Sequence, residues 1–296
     1  MEESRSFASK VRSELAEHIS KGRHCRKAEL RALYEGCYHK KQDEHVFSVL
    51  SEGLTIPQKC YSLLNKAYNA NPVIDRVEHE NRVSVPTGGS RILKDLMKDE
   101  ILERECCKRA YLRGWFLAAG TVTDPEGHYQ LEIVTRTREK ALFINEILRS
   151  FDIEGKITER KGNSVLYLKE GQKVVDFLGL VGATVALMEF ENARIVKEVR
   201  GRINRQVNCE AANIKKTINA SSRQVEEIEY IRETIGFDQL SDSLAQIART
   251  RLEYPDVSLK ELGEMMDPPL GKSAVNHRLR RLSEMAADLR AGEEKR

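Results

Sequence analysis

Two stretches of this chain, AELRALYEGCYHK from Ala28 and RAYLRGWFLAAGTV from Arg109, carry the same device: small residues four apart within an apolar helical pattern. Ala32 and Gly36 supply it in the first, Gly114 and Ala118 in the second. Residues at i and i+4 share a helix face, and small ones there let a second backbone come close. The pattern suits helices built to touch, and it also suits two ordinary core helices.

The order of elements after each stretch argues for a repeat. Behind the first come a β-rich run at 45–50 (HVFSVL), a helix opened by Thr55 with Gln58 in capping-box spacing, strands at 73–78 and 82–85, and a helix at 90–97. Behind the second come a strand at 129–135 (YQLEIVT), a helix at 139–151, strands at 156–160 and 164–169, and a helix at 172–180. Halves of about 80 to 90 residues are small for cores of their own, so residues 1–98 and 99–190 are expected to form one α+β domain with pseudo-two-fold symmetry.

The remainder is helical. Residues 189–206 (EFENARIVKEVRGRINRQ) are charge-dense, 213–235 stay polar and helical, and 191–235 reads as a connector. Residues 236–296 show a three-helix pattern at 240–252, 259–265 and 272–286. Tyr254-Pro255 stops the first helix, Ser258 with Glu261 opens the second through a capping box, and Asp267-Pro268-Pro269-Leu270-Gly271 breaks the chain before the third.

Two short helices around a tight breaker, the second basic, make a helix-turn-helix. At 100° per residue, Val275, Leu279 and Leu282 share one face of the last helix and can pack on Leu259 and Leu262. Ser273, His277, Arg280 and Arg281 then point the other way, with Asn276 and Arg278 at the flanks. From Gly271 to Arg281 there are four Lys or Arg and no acid. The whole chain carries 49 Lys+Arg against 46 Asp+Glu, so this excess is local. Lys272 and Ser273 suit phosphate at a helix start, Asn276, His277 and Arg280 suit base edges, and Arg278 and Arg281 suit phosphates. A solvated basic face on a small bundle is the competing reading.

No stretch approaches the roughly 18 consecutive apolar residues of a membrane helix, and the start, MEESRSFASKVRSEL, is unlike a signal peptide. A cytoplasmic location is expected. Six cysteines, at 25, 37, 60, 106, 107 and 209, form no C-x-x-C pair, so reduced structural thiols are expected rather than disulfides or zinc. His24 beside Cys25 and His39 near Cys37 are two-ligand neighbours without a second pair, and read as polar surface.

A metal-dependent nuclease would need paired carboxylates at the ends of the two small-residue helices. Cys37 and Ala119 stand there instead, and Glu35 is an isolated carboxylate suited to a surface or hydrogen-bonded role. No phosphate-loop, dinucleotide or zinc-protease motif occurs, and Gly88-Gly89-Ser90 reads as a turn before a helix. Neither a catalytic site nor a cofactor or metal is therefore expected.

SFASKVRSEL, CRKAELRALYEG, RAYLRGWFLAAGTV, MEFENARIVKEVRGRINRQVNCEAANIKKT and, most specifically, SLKELGEMMDPPLGKSAVNHRLRRL together resemble the WhiA-type regulators. In that family a degenerate LAGLIDADG homing-endonuclease-like domain is fused to a C-terminal helix-turn-helix. The likeness spans nearly the whole chain and departs at Tyr34-Glu35-Gly36-Cys37-Tyr38, where the family's first helix ends in smaller, apolar residues. The resemblance implies a bacterial, cytoplasmic, nucleoid-associated DNA-binding protein of transcription control, linked to sporulation or cell division, with no cleavage activity. It assigns DNA contact to Lys272, Ser273, Asn276, His277, Arg278, Arg280 and Arg281. Double-stranded DNA is the expected partner, with another transcription regulator or RNA polymerase as a protein partner. The duplicated domain then serves as a docking surface or a second backbone contact, helped by Arg194, Lys197, Arg200, Arg202 and Arg205. The alternatives are a low-specificity chromosome-organising protein and a residual metal-dependent nuclease.

Overall fold

The computed structural model describes residues 6–37 and 46–293, in two compact units divided between Val199 and Arg200. Tyr38, His39 and the start of the expected strand at 45–50 lie outside the described residues.

The first unit opens with α1 (Phe7–Glu17), then runs α2 (Arg23–Gly36), β1 (Ser48–Ser51), α3 (Thr55–Tyr68), β2 (Val73–Val77), β3 (Glu80–Ser84) and α4 (Gly89–Leu96). A 3₁₀ turn at Asp99–Leu102 leads to α5 (Glu105–Ala119), β4 (Gly120–Val122), β5 (Leu131–Thr135), α6 (Arg138–Arg149), β6 (Lys156–Arg160), β7 (Asn163–Leu168) and α7 (Gly171–Val181). Both sheets are antiparallel, one ordered β1-β3-β2 and the other β4-β5-β7-β6. Leaving β4 aside, the second order repeats the first element for element. The sequence repeat is therefore a structural one, and the chain is the expected α+β duplication followed by an all-helical unit.

Two local expectations are corrected. The apolar stretch from Arg109 does not stay helical to its end: α5 stops at Ala119, and Gly120 turns extended (φ −92°, ψ 151°) to begin β4. The turn suits glycine, since a β-carbon at 120 would lie 2.5 Å from the Phe116 ring, and the β-branched Thr121 and Val122 then pair with β5. Thr55 does not cap α3 either. Leu54 occupies the N-cap without a side-chain bond, and Thr55 sits within the first turn.

The small-residue helices lie side by side at the centre of this unit. A β-carbon on Gly114 would stand 2.6 Å from the Glu29 carbonyl oxygen and 2.7 Å from the Ala32 β-carbon, and one on Gly36 would stand 2.6 Å from that of Ala118. Because Ala32 meets Gly114 and Gly36 meets Ala118, α2 and α5 run in the same direction. Around them Leu30, Leu33, Leu112, Phe116 and Phe177 are buried.

The expected connector is one unbroken helix, α8 (Thr184–Thr234), 51 residues long. Past a 3₁₀ turn at Phe237–Gln239 come α9 (Asp242–Glu253), α10 (Leu259–Glu264) and α11 (Lys272–Glu293). Ile228 and Ile231 from the end of α8 join Ile247, Leu262, Val275 and Leu279 in the second unit's core. No described helix is long and apolar enough to cross a membrane.

Candidate nucleic-acid interface

In the second unit the chain between α9 and α10 is held by a buried cation. Arg251 is only 2% exposed, and its guanidinium donates to the carbonyls of Pro255 (3.3 Å) and Val257 (2.8 Å). Its alkyl stem fills core space while its head satisfies the Val257 carbonyl and shares that of Pro255 with the Ser221 hydroxyl. Ser258 then caps α10: its hydroxyl accepts from the Glu261 amide at 3.3 Å, and the Glu261 carboxylate accepts from the Ser258 amide at 2.8 Å. The Ser258 amide, and after it the Ser258 hydroxyl, hold this carboxyl below its ordinary value. The capping box expected from sequence is formed.

The turn into α11 closes on Gly263. Its carbonyl accepts from the Met266 amide (3.3 Å) and the Leu270 amide (2.9 Å), and a side chain at 263 would strike the Leu270 carbonyl. Only glycine permits that approach. The expected break after Asp267 therefore has a partner on the preceding helix. Val275, Leu279, Leu282 and Ala286 anchor α11 in the core, against Leu262 and Met266.

With that face buried, Lys272, Ser273, Asn276, His277, Arg280 and Arg281 are exposed and Arg278 is half-buried at the flank. Ser273, His277, Arg280 and Arg281 thus lie on the solvent side, and Asn276, expected at a flank, is as open as they are. Arg280 has a neighbour the local count left out: its Nε lies 3.2 Å from the Glu284 carboxylate, one turn on. Both side chains are largely exposed, so the guanidinium stays accessible. Lys272 and Ser273 sit in the first turn of α11, where unpaired amides and the helix dipole favour an anion.

Two cations beside this face go beyond the sequence pattern. A groove of about 450 Å³ brings Lys216 of α8 and Lys260 of α10 together with Lys272 and Asn276 of α11. Lys260 directly follows the first residue of α10 and is legible as a helix-start lysine. Nothing local marks Lys216. Of the connector cations, Arg194 is spent on Glu191 (3.2 Å) and Gln172 (3.0 Å). Lys197 donates to the Gly127 carbonyl and stacks 4.5 Å from the Tyr129 ring centre. Arg200, Arg202 and Arg205 are exposed.

Among the described residues, the ends of the paired helices in the first unit offer no carboxylate pair. Cys37 is buried and Ala119 half-buried, and Glu35 is fully engaged: Arg31 Nε at 3.0 Å, Lys140 Nζ at 3.0 Å and a Tyr111 hydroxyl donating at 2.5 Å. Burial and the adjacent carboxylate hold the Tyr111 phenol well above its ordinary value, so it remains a donor. On the sheets, Arg82 is paired with Asp75 across β2 and β3, and Arg160 with Glu132 at 3.0 Å.

Two family models match this chain. Residues 203–286 match the family model for the WhiA C-terminal HTH domain, and residues 108–200 match the WhiA LAGLIDADG-like domain. Among curated relatives, a probable cell division protein WhiA of Lachnoclostridium phytofermentans is 43% identical, the match covering 96% of this chain and 99% of that one. Its counterpart in Caldicellulosiruptor saccharolyticus is 41% identical over 97% of this chain and 96% of its own. Among solved structures, full-length DUF199/WhiA from Thermatoga maritima superposes with a TM-score of 0.62 at 25% identity, covering 96% of this chain and 99% of that one. The N-terminal LAGLIDADG domain of DUF199/WhiA shares the fold at a TM-score of 0.51 and 19% identity, over 60% of this chain and 91% of its own.

Proposed function

This chain belongs to the WhiA family, and from that premise we propose that it is a sequence-specific double-stranded DNA-binding regulator of transcription linked to cell division or sporulation, acting in the cytoplasm at the nucleoid. The observation that carries the proposal is the outer face of α11. It presents Ser273, Asn276, His277, Arg280 and Arg281 to solvent from the second of two helices locked by the Gly263 turn. Asn276, His277 and Arg280 read base edges in the major groove, while Lys272, Ser273, Arg278 and Arg281 hold phosphates. Lys216 and Lys260 extend the phosphate track along the adjoining groove.

The duplicated unit has a non-enzymatic role as a docking surface for another regulator or RNA polymerase. Two features support this. Glu35 is neutralised by two cations and a phenol, with Cys37 and Ala119 at the helix ends, so no set of oxygen donors for Mg²⁺ is gathered there among the described residues. Two of the three arginines on the described strands, Arg82 and Arg160, are matched by acids, which weakens a basic saddle for DNA.

The test is binding of the full chain to a pool of genomic DNA fragments at two salt concentrations with Mg²⁺ present. Selection of particular fragments, abolished by N276A and H277A and accompanied by no cutting, is the expected result. Equal weakening on every fragment would establish the low-specificity chromosome-organising alternative, and cleaved products would restore the nuclease reading.

A further inference from the structure

In sequence His24-Cys25 stands without a second pair of ligands, and the pairing of α2 with α5 supplies one. His24 Nδ1 lies 3.1 Å from Cys107 Sγ, 3.2 Å from Cys25 Sγ and 3.8 Å from Cys106 Sγ, and the four ligand atoms all lie within 4.8 Å of one another. We propose that His24, Cys25, Cys106 and Cys107 form a tetrahedral Cys₃His site for Zn²⁺ that clamps the two halves of the duplicated unit together. In such a site, with Zn–S about 2.3 Å and Zn–N about 2.0 Å, neighbouring ligand atoms stand roughly 3.5 to 3.8 Å apart. The observed spacings bracket that range, so a zinc ion is accommodated by small side-chain rotations.

The cluster is built by the repeat itself. The offset in sequence that relates Ala32 to Gly114 and Gly36 to Ala118 also relates His24 to Cys106 and Cys25 to Cys107. Each dipeptide occupies the second and third residues of its helix, so two equivalent helix starts converge on one point. Helix N-termini favour thiolate over thiol, and here two of them do so together.

Access and electrostatics agree. Cys25 and Cys107 are buried, His24 is half-buried and Cys106 exposed, beside a groove of about 350 Å³ lined by His24, Lys98, Arg104 and Cys107. Three thiolates and a neutral imidazole around Zn²⁺ carry one net negative charge, and Lys98 and Arg104 line the adjoining groove. Metal binding displaces the thiol protons of its sulfur ligands to solvent while Nδ1 donates its lone pair. Zinc is favoured over Mg²⁺ or Ca²⁺ because sulfur and imidazole are soft or borderline ligands.

The test uses the full-length chain under reducing conditions, loaded with Zn²⁺ or Co²⁺ and desalted. One Zn²⁺ per chain is expected, and the Co²⁺ form should show tetrahedral ligand-field bands with thiolate-to-cobalt charge transfer. The exposed-position variant C106S should lower that charge-transfer intensity by about a third, as three thiolates become two, and H24Q should raise the rate of metal loss to a chelator. C209S should match the parent. A folded chain that retains no metal, a Co²⁺ spectrum without thiolate bands, or loading unchanged in both C106S and H24Q overturns the proposal.

Discussion

Gly114 rests on Ala32: a β-carbon at 114 would stand 2.7 Å from that of Ala32 and 2.6 Å from the carbonyl oxygen one turn earlier at Glu29. The pairing of the two halves depends on that missing atom, because the helix backbones meet with nothing between them.

Gly114→Ala is therefore expected to destabilise the first unit despite alanine's better helix propensity of about 1 kcal/mol. The overpacking cost is about 1 to 3 kcal/mol. Thermal unfolding of the full chain checks this, with Gly53→Ala as the control, since a β-carbon there meets nothing within 4 Å. An unchanged melting temperature for Gly114→Ala would mean that the helices can separate without loss.

Gly263→Ala should abolish DNA binding by disordering the turn before α11. The added methyl meets the Leu270 carbonyl, which is backbone and has no rotamer to escape into. Circular dichroism should show loss of the second unit's transition while that of the first persists. Tight DNA binding by a Gly263→Ala chain would show that α11 is oriented by other contacts.

Asn276→Ala and His277→Ala are each expected to lose roughly 1 to 3 kcal/mol on the selected DNA and little on unrelated DNA. Lys216→Ala, Lys260→Ala and Lys272→Ala should weaken all sequences alike and lower the salt slope by about one each. Titration at several salt concentrations separates the two groups. Salt slopes unchanged by the lysine variants would remove the groove from the interface.

Acidification should weaken the first unit through His18. Burial, then the Arg113 and Lys59 charges, hold its imidazole below the ordinary 6.5. The unfolded chain thus binds the proton more readily, so this contribution is complete above pH 6.5 and is lost as pH falls from there through the folded-state value. Glu29 faces the same buried cations, with Lys59 Nζ 3.1 Å from its carboxylate, and burial moves it the opposite way. Comparing the pH dependence of unfolding for the parent and His18→Gln isolates the imidazole, and parallel curves would mean that it does not contribute.

Much of this is legible in local pattern. The small residues of α2 and α5, the Ser258–Glu261 cap, the break after Asp267 and the buried stripe Val275–Leu279–Leu282 each lie within one helix or at its ends. Helical period and turn chemistry act over a few residues and can be read without knowing the fold. The end of α5 departs from local expectation for the complementary reason: Gly120, Thr121 and Val122 pair with Ile133, Glu132 and Leu131 of β5, a contact made beyond the helix itself.

Other relationships required the packed chain. The sequence alone determined that two like halves precede a helical unit whose last helix begins with a basic stretch, 271–281, that holds no acid. The tertiary structure decided that α2 and α5 run in the same direction, bringing His24 and Cys25 onto Cys106 and Cys107, and that Lys216 and Lys260 flank α11. It also decided that Glu35 is neutralised by Lys140 from another helix. A period of 3.6 residues says which face of a helix is buried but not which other face it meets. That choice belongs to close packing between segments distant in the chain, where a single missing β-carbon sets the approach of two helices.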